Sequence, residues 1–206
     1  MTTRMMAAAA VAALACWGPA ALAQTATPPS PGDCLWNALS DADRAEVLKA
    51  YGRNMNAATK ALAEHDTTIQ AAATACVGRA GAPRLFIQGA TASAMIRAAS
   101  AERLAPEGLT ADRLRAAWNT ADPTARACFR VNAARVYGPM AETLLKGQTC
   151  PDQKAAQGVL TAVGLDLGKN TAASAQALIH FNAIAQGEQS DALLDAFVRY
   201  GPKPAS

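Results

Sequence analysis

Apolar residues recur along this chain at helical rather than strand spacing, separated by short clusters of capping and breaking residues, which predicts a succession of helices from Asp33 to Tyr200. Ser40 followed by Asp43 resembles a capping box, and the segment it opens carries Val47, Leu48, Tyr51 and Met55 on one side. Asp122 before Pro123 repeats the device with proline at the first helical position, ahead of Phe129, Val136, Met140 and Leu144. Thr110, Cys150 and Ser190 mark further starts, while Gly147, Gly187 and Gly201 read as stops.

The chain ends read differently. Arg4, an apolar run from Met5 to Trp17, a Gly18-Pro19 break and the small-x-small site Ala21-Leu22-Ala23 form the three-part layout of a secretory signal peptide over residues 1–23. The run is mostly alanine and broken, unlike the roughly 20 strongly apolar residues of a spanning helix, so the expectation is cleavage before Gln24 and no stable membrane anchor afterwards. Residues 24–32 form a Pro/Thr-rich linker, 33–200 the helical domain and 201–206 a tail. The expected location is periplasmic or secreted.

Composition strengthens the helical reading. Alanine fills 53 of 206 positions and aromatic residues make up only 5%, which favours helix and disfavours a mainly β fold. A net charge of +3, spread over 19 basic and 16 acidic residues without a basic stripe, gives no electrostatic reason to expect nucleic-acid binding.

Removal of the signal takes Cys16 and leaves Cys34, Cys76, Cys128 and Cys150, an even number in a chain bound for an oxidising compartment. Two disulfides are expected. There is no Cys-x-x-Cys spacing for metal or redox work, no haem-attachment motif, and only two histidines, so no metal is expected. Spacing alone leaves three pairings open.

Internal comparison points to duplication. Trp36-Asn37 and Trp118-Asn119 lie 82 positions apart, and at that offset Ser40 meets Asp122, Arg44 meets Arg126 and Leu62 meets Leu144. Later the offset shortens to 74, where Cys76 meets Cys150 and the stretch 98–102 meets 172–176. This predicts an all-α bundle of two divergent units of about 80 residues, 34–115 and 116–200, packed around a shared core. Equivalence of Cys76 and Cys150 favours one bridge per unit, Cys34 with Cys76 and Cys128 with Cys150, although Cys34 and Cys128 are not themselves equivalent.

Candidate chemistry is sparse. Glu64-His65-Asp66 is the one local cluster of titratable types around a histidine, but consecutive helical residues point apart, and a solvated helix end is the simpler reading. His180, within Leu178-Ile179-His180-Phe181, reads as a buried histidine with a hydrogen-bond partner. No nucleophile elbow, zinc-protease, P-loop or dinucleotide motif is present, so no catalytic residue and no cofactor are assigned. Trp36 and Trp118 are expected to anchor the core, or else to line a ligand pocket between the units. The leading expectation is a non-enzymatic module that docks on another envelope or secreted protein. The alternative is a carrier of a small apolar or amphipathic ligand held between the two helical units.

Overall fold

A computed structural model describes residues 29–137, 147–150, 152 and 154–201. The segment read as a signal peptide (1–23, with Cys16), residues 24–28 of the linker, Met140, Leu144, Pro151 and residues 202–206 of the tail lie outside the described residues. The described chain is all-helical: α1 (Pro31–Asn37), α2 (Asp41–Arg53), α3 (Met55–Glu64), α4 (Asp66–Val77), α5 (Arg84–Leu104), α6 (Ala111–Thr120), α7 (Pro123–Ala134), α8 (Ala155–Ala162) and α9 (Thr171–Tyr200). Single 3-10 turns follow α5 and α7.

Local chemistry sets the helix starts. The Ser40, Thr110 and Asp122 side chains accept backbone N–H groups of Asp43, Arg113 and Thr124, as their positions predict. α1 begins at Pro31, inside the stretch assigned to the linker, because the Ser30 hydroxyl accepts the Asp33 N–H and proline occupies the first turn. Three expected boundaries are overturned. Gly187 and Ser190, read as a stop and a start, lie inside the 30-residue α9, and the start expected at Cys150 falls instead at Ala155.

Packing explains why a glycine sits in mid-helix. The two long helices, α5 and α9, run antiparallel along most of their contact, and small residues let their backbones approach. A Cβ at Gly187 would lie 3.0 Å from Ser93 Oγ, and one at Gly89 would lie 3.0 Å from Ser190 Oγ and 2.9 Å from the Tyr137 hydroxyl. Ser190 bonds back to the Gln186 carbonyl at 3.0 Å and pairs with Tyr137.

Two apolar cores flank this central pair. The first joins Leu35, Trp36, Val47, Tyr51, Ile69, Ile87 and Met95 from α1 to α5 and includes Leu194 of α9. The second joins Leu114, Trp118, Phe129, Leu160, Phe181 and Ile184 from α6 to α9. A disulfide ties each side: Cys34–Cys76 links α1 to the end of α4, and Cys128–Cys150 links α7 to the segment before α8. The bridges fit an oxidising, extracytoplasmic compartment. No helix among the described residues is long and apolar enough to cross a membrane.

Arg79 closes the C-terminal end of α9. Its guanidinium donates to the carbonyls of Phe197, Val198 and Gly201 at 2.8 to 3.0 Å, placing positive charge where the helix dipole is negative.

Candidate functional site

Where α1, α5, α6 and α9 meet, an open cleft of about 290 Å³ is lined by Asp33, Trp36, Arg97, Asp112, Arg115 and His180, with alanines between them. The alanines matter because short side chains on α5 and α6 leave room that leucines would fill. Trp36 forms one wall and is largely buried. Asp33, at the N-terminal turn of α1, accepts from Arg97 Nη2 at 2.6 Å and so ties α1 to α5.

His180 sits in the cleft wall and is 3% exposed. Its Nδ1 lies 2.8 Å from Ser100 Oγ, and that hydroxyl is 2.5 Å from the Ile96 carbonyl. A carbonyl only accepts, so the serine proton goes to Ile96 and the imidazole donates from Nδ1, leaving Nε2 as an acceptor. Burial, followed by the nearby Arg97 and Arg115 guanidinia, pushes the His180 pKa down to about 4. The ring is therefore neutral at physiological pH.

This pair resembles a nucleophile and its base only on paper. Ser100 is fully buried with its proton directed along its own helix, and the partner of His180 is a hydroxyl rather than an orienting carboxylate. His65 lies apart, between α3 and α4, with Nδ1 3.9 Å from Asp43 Oδ1.

The two tryptophans occupy different settings. Trp118 is 1% exposed at the centre of the second core, with ring centroids 5.7 Å from Phe129 and 6.3 Å from Phe181. Its indole N–H donates to Glu188 Oε1 at 2.6 Å, while Arg130 Nη2 donates to Glu188 Oε2 at 3.0 Å. Among the described residues, Trp36 lines the cleft beside His180 whereas Trp118 belongs to the second core. Arg44, which follows Trp36 in the proposed repeat, pairs with Asp41 and donates to the Leu39 carbonyl at 2.9 Å.

Arg97, Ser100 and Arg115 carried no signal in the sequence. They sit in alanine-rich amphipathic stretches, and only the packing of α5 against α9 and α6 makes them neighbours of His180. Asp191 belongs to the same region: it accepts from the Gly32 N–H at 3.3 Å, and burial raises its carboxyl above the usual range. Elsewhere, an apolar groove of about 170 Å³ beside Leu62, Ile69 and Ala92 is smaller than a typical ligand pocket. Grooves of about 430 Å³ beside α8 and between α2 and α3 touch neither histidine and neither tryptophan. No group of three or more metal-ligating side chains occurs among the described residues.

The chain matches no known protein-family model, no curated protein and no solved structure.

Proposed function

We propose that this protein is an exported, non-enzymatic interaction module, periplasmic or secreted, which engages another envelope or secreted protein at the cleft between its two cores. The observation that carries the reading is the cleft itself: an open site with a large aromatic wall and two guanidinia, whose one histidine is neutral and turned toward a serine. Such a surface offers contacts for a partner, and its histidine faces a serine hydroxyl rather than an orienting carboxylate. The carrier alternative draws less support, because Trp118 is core and the cleft at Trp36 is lined by charged side chains.

The finer architecture belongs to the same proposal, with two divergent units of about 80 residues underlying the bundle. Support comes from Ser40 and Asp122, each capping the helix that follows a tryptophan-bearing helix, whereas two cores stand where one shared core is expected, and Leu104, Leu109 and Leu114 of the first unit belong to the second of them.

Native mass spectrometry on protein purified from its own envelope fraction tests the reading. A second polypeptide in complex is the expected result. A small molecule that leaves on denaturation, or a bare chain, contradicts it.

A further inference from the structure

The hydrogen bonds around the cleft leave a specific surplus. Arg97 commits Nη2 to Asp33 and also feels the Asp191 carboxyl, and its Nε is buried without a hydrogen-bond partner among the described residues, so what Arg97 offers the cleft is charge rather than that donor. Among the described residues Arg115 pairs only with Glu188, at 3.9 Å, and both oxygens of that carboxylate already accept shorter bonds from Trp118 and Arg130. A guanidinium carries five donors in a planar fork, so two of them in one cleft hold more donor capacity than the described residues satisfy. The His180 edge left to the cleft is an acceptor, since Nδ1–H is spent on Ser100. Trp36 adds an apolar wall, and Asp112 adds negative charge at the margin.

A ligand that completes this set needs one anionic group for the guanidinia, one N–H donor for the imidazole and an apolar stem against the indole. A glutamate or aspartate within a peptide supplies all three: a carboxylate, a main-chain amide and a methylene stem. Asp112 disfavours a second negative charge beside the first, which argues against strongly acidic runs and polyanions.

We propose that the cleft of Trp36, Arg97, Arg115 and His180 is a recognition site for a single carboxylate on a peptide segment of a protein partner. The inference rests on the interaction-module reading and gives it a chemistry. Arg115 is the primary contact, being 40% exposed at its side chain and loosely held, while Arg97 shapes the floor.

The test uses the intact disulfide-bonded protein and the imidazole resonances of its two histidines, with His65→Asn assigning those of His180. The probe is N-acetylglutamate N-methylamide, and its control is the glutamine counterpart, equal in shape but uncharged. Saturable shifts at His180 with the glutamate probe and no response to the control are expected. Arg115→Gln should weaken the probe by about tenfold, the scale of one lost charge-assisted hydrogen bond, with an unchanged urea midpoint. No shift at His180, an equal response to the control, or unchanged affinity in a folded Arg115→Gln protein overturns the proposal. Succinate that binds as well as the peptide probe also overturns it, in favour of a small-acid site.

Failure here and failure of the module reading are separable. A partner protein still held by Arg115→Gln protein leaves the module standing without this site. Probe binding by a protein that captures no partner does the reverse.

Discussion

The two cores reach similar burial by different means. The second is organised by large rings, with Trp118, Phe129 and Phe181 in mutual contact and the indole N–H satisfied by Glu188. The first lacks such a cluster and relies on aliphatic side chains and close backbone approach: a Cβ at Gly32 would lie 2.7 Å from the Ala90 carbonyl oxygen, so α1 lies almost directly on α5. Its tryptophan sits at the edge of the core and walls the cleft. Positions that match in sequence therefore do different work. Moving one aromatic to the margin of its core leaves an open cleft where the other half has packing.

Substitution of the tryptophans sharpens this contrast most. Trp118→Ala removes the centre of the ring cluster and leaves Glu188 short of a donor, and should cost about 3 to 5 kcal/mol by urea denaturation. Trp36→Ala, at the cleft edge, should cost less than that, about 3 kcal/mol at most. Equal costs would dissolve the distinction between core and wall.

The disulfides give the next comparison. Cys34–Cys76 closes 42 residues and Cys128–Cys150 closes 22. In the chain-entropy model their paired replacement by serine costs about 4 and about 3 kcal/mol respectively. A markedly larger loss from the shorter loop would show that the bridge beside the aromatic core does more than restrain the unfolded chain.

The cleft adds a pH dependence that neither core has. The His180 pKa falls from an ordinary 6.5 to about 4 on folding, chiefly through burial, so the unfolded chain binds the extra proton between those values. Its contribution, up to about 3 kcal/mol, is complete above pH 6.5 and is lost as pH falls toward 4. Asp191, raised by burial, acts in the opposite sense, because the folded state takes up its proton first as pH drops. His180→Gln should flatten the urea midpoint between pH 6.5 and 4 relative to wild type. An unchanged slope would remove His180 from the account.

The smallest effect concerns the crossing that joins the halves. Gly89→Ala presses a methyl group against Tyr137 and Ser190 and should destabilise by about 1 to 3 kcal/mol in the same assay. Neutrality would mean that the α5–α9 contact is looser than the structure shows.

Much of the helix framework was legible in the sequence because capping is local chemistry. Ser40, Thr110 and Asp122 need only the next few backbone N–H groups to act. Gly187 and Ser190 were misread for the complementary reason. Glycine ends a helix or lets another helix approach, and Ser93 on the facing helix, which decides between these, is 94 residues away. The cleft was half visible. Trp36 and His180 stood out as rare residue types in an alanine-rich chain, whereas Arg97, Ser100 and Arg115 looked like any polar residue on an amphipathic helix until α1, α5, α6 and α9 were assembled around them.

A direct measurement of the His180 pKa by NMR titration of the ligand-free protein tests the central claim, that the junction of the two cores is a built electrostatic site rather than a gap between helices. A value near 4 is the result expected from a buried imidazole facing Arg97 and Arg115. A value at the ordinary 6.5 or above would mean that solvent or a carboxylate already occupies the ring, and would contradict the cleft as described.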